Sequence, residues 1–206
     1  MVFTYPSTFT AKYAPWGYTR YASYKDWLRD EFAFRCVYCL TREKWCPSGH
    51  RAFAVEHIVP QVSNKHLKTV YENLAYTCHL CNSRKGTRLT INPRTNPFGT
   101  HLSVKPDGTI FSLTADGAKM ILLLGLDEDE LNETRKHYIE IYDAFQDPAN
   151  EGHQFVEFQY EWAFSYPKSV PDLKVKKPSG IENKHSVNKC CYQRLRGKIK
   201  PTVYFT

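Results

Sequence analysis

Two C-x-x-C pairs constrain this chain more than any other feature: Cys36-Val-Tyr-Cys39 and Cys78-His-Leu-Cys81. Each is a knuckle that presents two thiolates to one point, and two knuckles complete a tetrahedral four-sulfur zinc site. Four thiolates leave no open coordination position, so the ion would be structural. A thioredoxin-like redox pair rivals either C-x-x-C alone but does not explain two. A local alternative stands beside it, because Cys36, Cys39, Cys46 and His50 could close a site by themselves. Cys190 and Cys191 are adjacent in a basic stretch and are expected to have no metal role.

The metal reading needs reduced cysteines. The N-terminal stretch MVFTYPSTFTAKYAPW has no basic region followed by an apolar one, so no secretory signal is expected. The longest aliphatic run, Met120–Leu124, ends at Gly125 and is far too short to span a bilayer. The expectation is a cytoplasmic protein with no membrane partner, where paired C-x-x-C spacings mean metal or redox chemistry. Apolar content of 42% fits an ordinary globular protein, so a packed core is expected as well.

Charge is unevenly spread. Residues 31–100 hold ten Lys/Arg against four Glu, a net of +6, and residues 166–206 hold ten against two acids, a net of +8. Between them, residues 101–165 hold four Lys/Arg against thirteen acids, a net of −9. Basic surface commonly means only solubility, but a basic cysteine region and a basic tail together favour a polyanionic partner.

The chain divides into an N-terminal arm and helix (1–33), a cysteine-bounded core (34–95), an elaboration (96–165) and a basic tail (166–206). Residues 1–18 lack periodicity and read as an irregular aromatic arm. Ser23 as N-cap and Asp26 three residues on predict a helix over 23–33, with Tyr24, Trp27, Leu28 and Phe32 at helical spacing. His101–Thr114 reads as two strands around Pro106-Asp107-Gly108. Residues 115–124 read as a helix stopped by Gly125, followed by a second helix from Asp127 with Leu131, Tyr138, Ile141, Tyr142 and Phe145 on its apolar stripe. Residues 155–164 alternate, with Val156, Phe158, Tyr160, Trp162 and Phe164 on one face, and predict a half-buried strand. That face could stack bases, but core packing is the more ordinary use. From Pro167 onward an extended, partly ordered tail is expected.

Between the knuckles, VEHIVPQ (55–61) sets Glu56 directly before His57, although neighbours on a strand point to opposite faces. Taken alone, His57 would be a core histidine, and Asn73 or Asn82 a turn or cap residue. Together, the order C-x-x-C, E-H-I-V-P, N-L, C-x-x-C-N-x-x-K-G over about residues 34–88 resembles the HNH endonuclease family in its zinc-stapled form. Residues 96–145 are similar, more weakly, to the extension on stand-alone bacterial and phage members.

The resemblance implies an α+β protein: a ββα-metal core with a four-cysteine structural zinc at Cys36, Cys39, Cys78 and Cys81, elaborated by a β-hairpin and helices. It implies a metal-dependent endonuclease hydrolysing phosphodiester bonds in single- or double-stranded DNA, leaving 5′-phosphate and 3′-hydroxyl ends. His57 matches the general base, for which a near-neutral imidazole is suited. Asn73 matches the residue that fixes the loop and so orients His57. Glu56 and Asn82 match the ligands of a catalytic ion. Both offer hard oxygen donors, which favours Mg²⁺ or Mn²⁺ over zinc there. Lys85, with Arg84 and Arg88, would hold phosphate. Two departures stand out: Glu replaces the commoner Asp or His at 56, and Asn replaces the commoner last His at 82. The rival readings are a non-catalytic zinc module that binds nucleic acid, and a nuclease subunit activated by a protein partner in a defence or mobile-element system. His50, His66, His79 and His101 are expected to be surface residues.

Overall fold

The computed structural model describes residues 2–175 and 182–196. In chain order the strands are β1 (Pro15–Trp16), β2 (Phe53–His57), β3 (Leu74–Cys78), β4 (Leu102–Val104), β5 (Ile110–Ser112) and β6 (Glu182–Asn183). The α-helices are α1 (Lys25–Glu31), α2 (His79–Lys85), α3 (Ala115–Leu124), α4 (Asp129–Gln146), α5 (Gln154–Phe164) and α6 (Cys191–Arg196). The protein is α+β, with three separate two-stranded antiparallel sheets among the described residues: β1–β6, β2–β3 and β4–β5. No helix among those residues is long and apolar enough to cross a membrane. Two compact units divide them: residues 9–95 with 167–175 and 182–196, and residues 2–8 with 96–166.

In the first unit, β2 and β3 pair from Phe53↔Cys78 to His57↔Leu74, and α2 begins on the next residue. Every residue of β3 is buried, because this strand lies between the knuckle and α1. Phe53 and Tyr76 stack at 4.9 Å, and Trp27, Leu28, Tyr24 and Tyr71 complete the core. Burying a side chain of this size contributes roughly 2–3 kcal/mol each.

The helix predicted over 23–33 is shorter. Tyr21–Tyr24 form a 3-10 turn, α1 follows without a side-chain cap, and Ser23 is not its N-cap. Asp26 instead sits in the first turn, where it meets the helix dipole and pairs with Arg29 at 3.2 Å. Ala33 and Phe34 then take positive φ, and the Phe34 amide returns to the Arg29 carbonyl at 2.7 Å, which ends the helix.

The expected extended tail is corrected for its described parts. Leu173, Cys190 and Cys191 are buried, β6 pairs with β1, and the Cys191 amide donates to Asp30 at 2.6 Å. Apolar groups spaced along the basic stretch, invisible to an average over its charge, anchor it. The rest of that expectation, residues 176–181 and 197–206, lies outside the described residues. The N-terminal arm, read as irregular over 1–18, carries β1 near its end, and Val2, Phe3, Tyr5 and Tyr13 along it are buried.

In the second unit the β4–β5 hairpin forms as read. Gly108 turns it with φ of 86°, and a Cβ there would lie 2.5 Å from the Asn132 carbonyl oxygen, so helix α4 presses directly on the turn. Thr114 caps α3 through the Gly117 amide, and Gly125 closes it in the left-handed conformation. Helix α4 begins two residues later than expected, and its inward face carries Arg135 beside Tyr138, Ile139 and Ile141. Arg135 is buried because it donates to the Gly108 and Leu126 carbonyls at 2.6 and 2.7 Å.

Residues 155–164 are not a strand. They form α5, which buries Tyr160, Ala163 and Phe164 at i, i+3 and i+4. Tyr160 stacks on Phe145 of α4 at 3.7 Å, and Phe164 meets Tyr138 and Tyr142 at 6.3 and 6.2 Å. The sequence satisfies both periods. A helix closes its own backbone hydrogen bonds, and the aromatic face of α4 gives its i, i+3, i+4 set a surface to pack on. Phe158 and Trp162, expected on the buried face, are exposed.

Candidate active site and cysteine cluster

The first knuckle is a tight turn. Leu40 sits at φ of 63°, an uncommon conformation for a branched residue, and is held there by its burial and by its amide on the Cys36 carbonyl at 3.1 Å. The Val37 amide donates to Tyr76 at 2.9 Å, docking the knuckle on β3. The second knuckle is the end of β3 and the start of α2, with the Cys78 sulfur accepting from the Cys81 amide.

The four sulfurs of Cys36, Cys39, Cys78 and Cys81 lie within 4.8 Å of one another, all buried. Zinc–sulfur bonds of about 2.3 Å in a tetrahedron separate sulfurs by about 3.8 Å. Cys39 and Cys78 are 3.7 Å apart, so the cluster fits such an ion. Cys46 and His50 stand outside it; the Cys46 sulfur instead faces the Arg42 carbonyl at 3.8 Å, and burial pushes its thiol up to about 11. Burial raises Cys36, but hydrogen bonds from Cys39, Cys78, Cys81 and Thr77 outweigh it and hold that thiol well below the ordinary range. Cys78 and Cys81 are pushed up, first by bonding to Cys36. Sulfurs this close bear one negative charge readily and more only beside a cation, which is the condition a structural zinc meets.

His57 is the last residue of β2, facing a cleft of about 420 Å³ whose lining includes Tyr21, Glu56, Gln61, Asn82 and Thr87. The sequence puzzle of adjacent Glu56 and His57 resolves here. Glu56 turns to α2, His57 turns to the 58–73 loop, and both reach the same cleft. His57 Nε2 lies 3.0 Å from the Lys68 carbonyl. A carbonyl only accepts, so Nε2 carries the proton and Nδ1 keeps its lone pair. The Gln61 amide donates to that Nδ1 at 3.3 Å, and the Tyr21 ring meets the imidazole edge to face at 4.7 Å. Burial lowers the pKa of His57, as do the Lys85 and Lys68 charges, so the imidazole is neutral at neutral pH.

Asn73 holds the loop closed. Its Oδ1 accepts from the Val59 amide at 2.8 Å, and its Nδ2 donates to the Val59 and Leu67 carbonyls at 3.1 and 3.3 Å. Lys68, whose carbonyl fixes His57, follows Leu67 directly. Asn82 is half-buried on α2, and among the described residues its side-chain amide has no partner.

Lys85 corrects an expectation. It is fully buried, and its ammonium donates to Glu56 Oε1 at 2.8 Å and the His57 carbonyl at 2.9 Å, so it does not reach outward to phosphate. Burial raises the Glu56 carboxyl, against the pull of Lys85. Arg84 is half-exposed; Arg88 is exposed and folds back on the Arg84 and Lys85 carbonyls at the end of α2. Sequence reading missed Tyr21 and Gln61. Gln61 lay in the quoted motif four residues after His57, whereas nothing in the sequence marked Tyr21.

Hairpin, helix, cysteine cluster and histidine are thus assembled within one short segment. Residues 36–88 match the family model of the HNH endonucleases. No curated protein and no solved structure matches the chain. An HNH domain is a nuclease domain, hydrolytic in class and acting on nucleic acid, and members typically depend on metal. In this HNH domain the first C-x-x-C pair precedes β2 and the second joins β3 to α2, and the matched segment contains the whole ββα arrangement.

Proposed function

We propose that this protein is an endodeoxyribonuclease in which His57 is the general base, Glu56 and Asn82 hold a catalytic Mg²⁺ or Mn²⁺, and Cys36, Cys39, Cys78 and Cys81 hold a structural zinc. The observation that carries it is the fixed tautomer of His57. With Nε2–H committed to Lys68, Nδ1 carries the lone pair, met in this structure by the Gln61 amide, and is the ring atom that would take a proton from water in the cleft that Glu56 and Asn82 also line. Asn73 supports that orientation by bonding Val59 and Leu67, the residue before His57's partner Lys68. Residues 34–95 carry the chemistry in this reading.

The donor set fits a hard cation of a particular kind. Lys85 already engages Glu56 Oε1, so the carboxylate offers a partly offset charge, and Asn82 adds a neutral oxygen. Such a site suits an ion that keeps most of its waters and gains its remaining ligands from substrate phosphate, as Mg²⁺ does. When bound, the ion would neutralise charge developing at the reacting phosphate. DNA is the favoured substrate because the family class is nucleolytic and the described basic segments could meet its backbone. Incubating the purified protein with supercoiled plasmid tests this: nicking or linearisation in Mg²⁺ that EDTA abolishes is expected, and intact plasmid across Mg²⁺ and Mn²⁺ would remove the assignment.

A further inference from the structure

We propose that Tyr21, which lies outside the matched HNH domain, is a substrate-contacting residue whose hydroxyl donates a hydrogen bond to the DNA backbone beside His57. The proposal rests on the nuclease reading above. A backbone phosphate is an acceptor, and a site for it is ordinarily lined with Lys or Arg. This cleft is not: the residues that line it include no Lys or Arg, since Lys85 beneath it is fully buried against Glu56. Beside the proposed ion, the groups of the cleft lining that can donate to the backbone are therefore neutral ones.

Tyr21 is placed to be one. It opens the 3-10 turn before α1, and that turn is fixed from below. Tyr24 is buried against Tyr18 and Tyr71, at 4.8 and 5.6 Å between ring centroids, and Lys25 donates to the Phe53 carbonyl of β2 at 2.5 Å. Tyr24 faces the core, whereas Tyr21 is half-exposed on the cleft, its ring 4.7 Å from His57 at 74°. Phenylalanine would make that ring contact equally well. The hydroxyl is what packing does not use, and among the described residues it has no hydrogen-bond partner.

The test is Tyr21→Phe, which keeps the ring against His57 and removes only the donor. DNA binding is measured in buffer without added Mg²⁺ or chelator and steady-state cleavage in Mg²⁺, for wild type and variant in parallel. Kd and KM should both rise by about 2- to 10-fold, the size of one hydrogen bond, with kcat unchanged. A residue that only packs would leave Kd and KM at wild-type values, and that result overturns the proposal while wild-type cleavage keeps the nuclease reading intact. A wild-type protein that neither binds nor cuts DNA overturns the nuclease reading and the role of Tyr21 with it.

Discussion

His57 has its tautomer set by one backbone oxygen, and that has a measurable consequence. Because burial lowers its pKa, the neutral base persists below the ordinary value of about 6.5. The acid limb of the kcat/KM profile should therefore have its midpoint under pH 6.5, with the value falling only as pH drops through it; a midpoint at 7 or above would assign the limb to another group. Lys85 gives a second residue-scale prediction. Its pair with Glu56 has side chains 0% and 4% exposed, so Lys85→Met strands a buried carboxylate and should cost roughly 3–5 kcal/mol in urea unfolding. Adding Glu56→Gln should restore much of that loss; no restoration would mean that the cost is packing and not charge. The motif order brought Glu56, His57, Asn73 and Asn82 into view in the sequence. The direction of Lys85 was not legible, because helical spacing from Asn82 gives its neighbourhood and not the carboxylate beneath it. Tyr21 was invisible because contact across separate elements leaves no local pattern.

At the scale of elements, the ββα hairpin is short, two five-residue strands and a seven-residue helix, and it draws its order from the cysteine cluster that joins its end to the first knuckle. A structural zinc contributes about 10–16 kcal/mol of apparent binding energy, as much as a whole domain's net stability. Cys36→Ser or Cys78→Ser should lose zinc by metal analysis and give unfolded or insoluble protein, while Cys46→Ser keeps near-stoichiometric zinc. Zinc lost from Cys46→Ser but kept in Cys78→Ser would restore the local site with His50. The hairpin of residues 102–112 and helix α3 were legible because turn and stop residues act locally: Gly108 and Gly125 each do in the structure what their chemistry dictates. Helix α5 was not. Its alternating aromatics satisfy a strand period and its Tyr160-Ala163-Phe164 set a helical one, and only the aromatic surface of α4 decides between them.

For the whole molecule, the described parts of the basic C-terminal region belong to the same unit as the HNH domain, through Leu173, Cys190 and Cys191. Truncation after Ser165 would therefore remove core, and charge substitution is the cleaner probe. Lys168, Lys174, Lys184 and Lys189 are exposed. Changing all four to Gln should flatten the salt dependence of DNA binding by roughly 2–3 units in log–log slope, each phosphate contact adding about 0.9. An unchanged slope would place the DNA elsewhere on the protein. The central claim concerns His57, and it is tested most directly by the rate of plasmid cleavage in Mg²⁺ by His57→Ala, with zinc content and DNA affinity measured on the same sample. The account predicts a loss of roughly 10²–10⁴ in rate with zinc and affinity retained. Cleavage at the wild-type rate by a folded, zinc-loaded His57→Ala protein would contradict it.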